Sequence, residues 1–152
     1  MSALDSSPNA VATAGDLVLD VSLSCAWCFA DEASDGAWAI LERLQTSRAQ
    51  VPALWLWETA NVLLQAERRG RISPAASRTF LGLLEGLPIS VDQQPTTASA
   101  WHDTLALARS HRLTSYDAAY LELALRRGLP LASRDKALQA AARAEGVPLL
   151  PT

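Results

Sequence analysis

Apolar residues along this chain fall into two alternating kinds of pattern. Short apolar runs at 17–19, 51–54, 88–91, 129–132 and 147–150 are bounded by polar or turn-forming residues and read as buried strands. Between them lie longer segments whose apolar residues recur every three or four positions, the period of a helix with one buried side. Ala37, Ile40, Leu41 and Leu44 line one side of a segment over 36–47. Ala98, Trp101, Leu105 and Ala108 do the same over 97–111, and Ala118, Leu121, Ala124 and Leu125 over the segment that Asp117 opens. Helices are also expected from 21 to about 30, over 55–69, over 73–85 and over 135–145. The punctuation agrees: Gly70 ends one helix, Ser73-Pro74 starts the next, and Gly128 with Pro130 stops the one before the fourth strand.

Strands that alternate with helices through short connections make an α/β layer fold with a mostly parallel sheet of about five strands. The pattern covers 16–152, one domain, while residues 1–15 are small and polar without periodicity and read as a flexible lead-in. With 152 residues, the chain is long enough to bury about two-thirds of its unfolded surface. No apolar run has the length of a membrane span, and no basic segment precedes an apolar core at the N-terminus. The default expectation is a cytoplasmic protein without a membrane segment.

Composition changes this picture little. The net charge of −3 lacks the basic excess usual in nucleic-acid binders, so any such contact falls to local Arg clusters. Arg68, Arg69 and Arg71 end one helix and Arg126–Arg127 another. Both clusters suit phosphate contact, and both are equally what a helix C-terminus attracts through its dipole. Cys25 and Cys28 form C-A-W-C near a helix start, a place suited to a redox pair. They lie in an apolar stretch with neither His nearby in sequence, and read as small buried side chains.

Four acids stand out by position. Asp20 and Asp135 each follow a strand, Asp117 begins a helix, and Glu58 sits early in a strongly apolar one among Trp55, Leu56, Trp57, Val62, Leu63 and Leu64. Open parallel sheets bind ligands beyond the carboxyl ends of their strands, where all four acids can converge. Clustered carboxylates raise one another's pKa values unless a cation intervenes. A hard divalent ion with oxygen ligands, Mg²⁺ or Mn²⁺, meets that need. Each acid also has a plainer reading: Asp20, Asp117 and Asp135 as helix caps, Glu58 as a solvent-facing residue.

The order of the motifs adds a resemblance. The segment VLDVS, then WETANVLL with its E-x-x-N spacing, then SYDAAY, then ASRD resemble in turn the four acidic motifs of PIN-domain ribonucleases, in particular VapC-type toxins of toxin–antitoxin pairs. Each motif is short, but four in family order span the whole domain. The lead-in is longer than usual in that family, and Arg134 beside Asp135 could damp the local negative field. The resemblance implies a Rossmann-like three-layer α/β/α sandwich and Mg²⁺-dependent cleavage of RNA by metal-assisted hydrolysis. It implies that Asp20, Asp117 and Asp135 contact one or two metal ions and that Glu58 positions or deprotonates the water. Ser22, Asn61, Ser115 and Ser133 are then expected to orient carboxylates and waters, and Arg68, Arg69 and Arg71 to meet RNA.

The resemblance also implies a homodimer and a small antitoxin partner. Five Trp residues exceed what one small core usually needs, and some are expected at interfaces. An acidic rim also attracts an Arg or Lys side chain from a partner, whose helix could lie in a groove beside exposed Trp or Leu residues. Other acid-lined or nucleotide-binding α/β proteins fit less well. A receiver domain wants paired acids after its first strand, where this chain has Asp20-Val21, and a dinucleotide-binding fold wants a Gly-rich turn that is missing there. The alternative that survives is a PIN scaffold that binds RNA or a protein partner without cutting.

Overall fold

The structure, a computed structural model, describes residues 4–5, 15–93 and 96–152. Its strands are β1 (Leu4–Asp5), β2 (Leu17–Leu19), β3 (Ala49–Val51), β4 (Ile89–Val91) and β5 (Leu131–Ala132). They form one sheet in the order β1-β4-β3-β2-β5, with every pairing parallel. Leu17, Val18 and Leu19 are all fully buried, as a strand covered on both faces must be. The chain steps from β2 to β3 to β4, then crosses back past β2 to β5. Right-handed crossovers therefore put α1 (Val21–Ala26), α2 (Asp35–Arg43), α3 (Leu54–Arg68) and α4 (Pro74–Glu85) over one face. They put α5 (Leu105–His111) and α6 (Ser115–Arg127) over the other, with α7 (Lys136–Ala144) against α6. This is the expected Rossmann-like sandwich. The reversal of direction opens a crevice at the carboxyl ends of β2 and β5, where such sheets bind ligands.

Two buried indoles fix the helices beside that crevice. Trp27 Nε1 donates to the Ala37 carbonyl at 2.7 Å, joining the end of α1 to α2. Trp55 Nε1 donates to Ser24 Oγ at 3.1 Å, joining α3 to α1. A buried indole N–H needs such a partner, so each ring contributes apolar area and a fixed direction at once.

Several elements differ from the sequence expectation for local reasons. The second strand lies at Ala49–Val51 rather than 51–54, because the Pro52 carbonyl already accepts from Trp55 N–H at 3.0 Å and opens the helix. The strand expected at 147–150 is reduced to a single bridge between Leu131 and Leu149. Pro148 has no N–H to give the ladder, although its carbonyl accepts from Leu131 N–H at 2.9 Å. Within the lead-in expected to be flexible, Leu4–Asp5 pairs with β4 as an edge strand. Apart from Gly15, the remainder of that segment lies outside the described residues. The helix expected over 97–111 starts there but is interrupted by a π-helical turn at Ser99–Thr104 before α5.

The stop between α6 and β5 sets where Ser133 and Asp135 fall. Gly128 takes φ 64°, and Leu129 N–H donates back to the Ala124 carbonyl at 3.0 Å. Nothing lies within 4 Å of a Cβ built there, so a substitution is opposed by backbone strain alone. Gly128→Ala is expected to cost about 1 kcal/mol and Gly128→Asn less, both measured by denaturant unfolding.

Candidate active site

Asp20 is the centre of the crevice. It follows β2 directly, and the parallel register of β2 with β5 places it beside Ser133, with Asp20 N–H donating to the Ala132 carbonyl at 3.0 Å. Asp20 stands at the N-cap position of α1, yet its carboxylate makes no capping bond. Oδ2 instead accepts from Ser22 Oγ and from Ser133 Oγ, each at 2.6 Å. The side chain is only 2% exposed. Of the two readings for Asp20, the geometry therefore disfavours the cap.

The two serines are themselves held. Ser133 Oγ accepts from Asp135 N–H at 3.0 Å, and Gln139 Nε2 on α7 donates to the Ser133 carbonyl at 2.6 Å. Ser22 Oγ accepts from Arg134 N–H at 3.1 Å. The loop after β5 is thus tied to the loop after β2 through hydroxyls that also serve Asp20.

The other three acids approach from separate elements. Glu58, half-buried on α3, accepts from the Tyr120 hydroxyl at 2.6 Å through Oε1. Asp117 lies in the first turn of α6, where Thr114 is the cap and its Oγ1 accepts from Asp117 N–H at 3.1 Å. Asp135 does cap a helix, its Oδ1 accepting from Leu138 N–H at 2.8 Å.

Electrostatics tie the four together. Burial pushes the Asp20 carboxyl above its ordinary value; the two serine hydroxyls pull it back, and the charges of Asp117 and Asp135 push it further up. Glu58 is raised first by burial and then by Asp20 and Asp117, against the Tyr120 hydrogen bond. Asp117 is raised by burial and by Asp135, against a hydrogen bond from Thr114. Each acid is close enough to feel the next. Yet among the described residues no three His, Cys, Asp or Glu side chains close around one point as metal ligands. Asp20 Oδ2, Glu58 Oε1 and Asp135 Oδ1 are all turned toward protein donors.

Of the residues expected to orient the acids, Ser22 and Ser133 both hydrogen-bond Asp20, while Asn61 and Ser115 are exposed and hydrogen-bond none of the four. α6 takes the neighbouring hydroxyl, Thr114, as its cap, and Ser115 is exposed in its first turn. Thr114 and Asp117 have the T-x-x-D spacing of a capping motif, a signal that was present in the sequence. Tyr120 was missed because a Tyr three residues past Asp117 reads as core, and it is core as well. Arg134 ties its guanidinium to the Glu32 carbonyl. Arg68 and Arg69 are exposed at the end of α3. Arg71 pairs with Asp31 at 3.0 Å and stacks 4.3 Å over the Phe29 ring. Arg126 and Arg127 are held by Asp92, at 2.5 and 3.1 Å, and Arg126 by Glu122 at 2.7 Å, so their charge is largely offset within the protein. Cys25 is buried and its thiol is pushed up to about 12 by burial first, in keeping with an inert side chain.

The fold and site first define a class: an α/β domain whose parallel sheet opens an acid-lined crevice at its switch point. The family model of the PIN domain matches residues 17–144, and the chain belongs to the PIN-domain family. PIN domains are generally nucleases. Among solved structures the chain is similar to PAE2754 from Pyrobaculum aerophilum, with a TM-score of 0.64 and 23% identity over 83% of this chain and 84% of that one. It is also similar to FitAcB from Neisseria gonorrhoeae, with a TM-score of 0.54 and 19% identity over 88% of this chain and 96% of that one. Both are likenesses of fold. No curated protein sequence matches the chain significantly.

The raised carboxyls carry a consequence for stability. Asp20, Glu58 and Asp117 hold protons more tightly folded than unfolded, so the folded state binds more protons just above the ordinary carboxylate range. Their stabilisation is complete below the unfolded pKa and is lost as pH rises through the folded values. In the presence of chelator, Tm is expected to fall as pH rises from about 4 toward neutrality. Asp20→Asn should flatten that slope, because an amide does not titrate. Equal slopes in thermal melts of the two proteins would contradict the assignment.

Proposed function

We propose that the chain is a metal-dependent endoribonuclease of the VapC type, the toxin of a toxin–antitoxin pair. The observation that carries this reading is Asp20, buried at the switch point, held by two serine hydroxyls and coupled in charge to Asp117 and Asp135. The donor chemistry fits Mg²⁺ or Mn²⁺: every candidate ligand is a carboxylate oxygen, and the acids repel one another where they stand. Asp20, Asp117 and Asp135 would hold the ion, which when bound supplies the positive charge that lets them ionise together and polarises the phosphate. Ser22 and Ser133 keep Asp20 in one orientation. Glu58, whose carboxyl burial raises above its ordinary value, is suited to take a proton from an attacking water through Oε2, which no described residue occupies.

A pocket of about 350 Å³ adjoins Ser22 and is lined by Phe29, Val62, Arg71 and Arg134. Arg71, whose partner Asp31 is solvent-exposed, supports passage of the RNA backbone on this side, with the exposed Arg68 and Arg69 at the end of α3. Trp38, Trp57 and Trp101 are 48%, 70% and 69% exposed, which supports the expected homodimer and antitoxin contacts. No helix among the described residues is long and apolar enough to cross a membrane.

The test is cleavage of defined RNAs with Mg²⁺ and with chelator, followed by mapping of the ends. Asp20→Asn and Asp117→Asn are each expected to lower cleavage by about a hundredfold or more with the fold intact by circular dichroism. RNA that binds without being cut would replace the nuclease with a silent scaffold. Arg71→Ala is expected to raise KM and reduce the salt dependence of RNA binding by about one unit of log–log slope, with kcat little changed. An unchanged slope would remove Arg71 from the RNA path.

A further inference from the structure

We propose that Tyr120 is the positioning residue for Glu58: its hydroxyl fixes one carboxylate oxygen and leaves the other as the only one free to meet water. Tyr120 is 0% exposed on α6, one turn beyond Asp117. Its hydroxyl reaches across to α3 and donates to Glu58 Oε1 at 2.6 Å. One buried group thus joins the two helices that carry Glu58 and Asp117.

The need for it follows from α3. Leu56, Trp57, Ala60 and Asn61 around Glu58 are exposed, so a free Glu side chain there has open solvent within reach. Its rotamer freedom favours leaving the crevice unless something opposes it. The Tyr120 ring has no such freedom, being enclosed by the core, and its hydroxyl is a donor that does not lapse. Burial, with Asp20 and Glu58, drives the phenol pKa far above its ordinary value, so the proton stays on Tyr120.

This role rests on the nuclease reading of the site. Tyr120→Phe keeps the ring and removes only the hydroxyl. The expected result is a fall in kcat of about ten- to a hundredfold, with KM within about twofold and Tm close to that of the parent. A crystal structure of the variant should show Glu58 in more than one rotamer. In a Glu58→Ala background the same change should cause no further loss of kcat. An equal loss in both backgrounds, or unchanged kcat in Tyr120→Phe, would overturn the proposal. Should the parent chain cleave no RNA, the nuclease reading fails by itself, and dispersal of the Glu58 rotamer alone decides what Tyr120 does.

Discussion

The structure is organised by the cost of placing a carboxylate at the buried end of its central strand. An unpaired charge at that position would be expensive, and the surrounding architecture can be understood as the way that cost is met. Ser22 and Ser133 each give Asp20 a short hydrogen bond, so the loops after β2 and β5 must meet. They can meet only because β5 returns to the side of β2 opposite β3. Gln139 holds Ser133 from behind, which in turn fixes α7. Topology, loop pairing and helix docking therefore serve one side chain. Two neutral hydroxyls moderate its proton affinity without cancelling the effect of burial, leaving a demand for positive charge that the described residues do not supply.

Much of this could be read in the amino-acid order. The alternation of three-residue apolar runs with helical periods gave the layered fold, and Asp20 and Asp135 were marked by falling just after strands. The errors came where a backbone group was already committed. Pro52 begins a helix and Pro148 cannot donate, so one strand moved and another shrank to a bridge. Site partners were harder to foresee, because they depend on which element faces which. Ser22 lies two residues from the acid it bonds, whereas Ser133, two before Asp135, donates across the sheet to Asp20. Asn61, three residues after Glu58, and Ser115, two before Asp117, lie on exposed sides of their helices. Tyr120 lies 62 residues from Glu58, and no local pattern joins them.

The distribution of arginine is similarly selective. Arg126 and Arg127 offset Asp92 and Glu122 in a partly buried group of two cations and two anions. That group holds the far end of α6, so the helix bearing Asp117 and Tyr120 is anchored at both termini: by Thr114 at one and by this cluster at the other. Arg71 is held more loosely, over Phe29 at the mouth of a pocket. Positive charge is thus used for rigidity behind the acids and left accessible beside them.

The π-helical turn at Ser99–Thr104 has a further consequence. A π turn takes in one more residue than an α turn, and here Thr104 Oγ1 covers the Ser99 carbonyl at 2.8 Å. The widened turn borders a cavity of about 200 Å³ against Pro52, Leu54 and α6. A chain shorter by one residue in this turn could wind as a continuous α-helix, and every side chain before the deletion would then rotate by roughly 100° about the axis. Trp101 would leave the face it now presents. Single-residue insertion and deletion at this turn is therefore a route by which relatives of this fold could exchange one outer surface for another while the sheet and its acids stay in place.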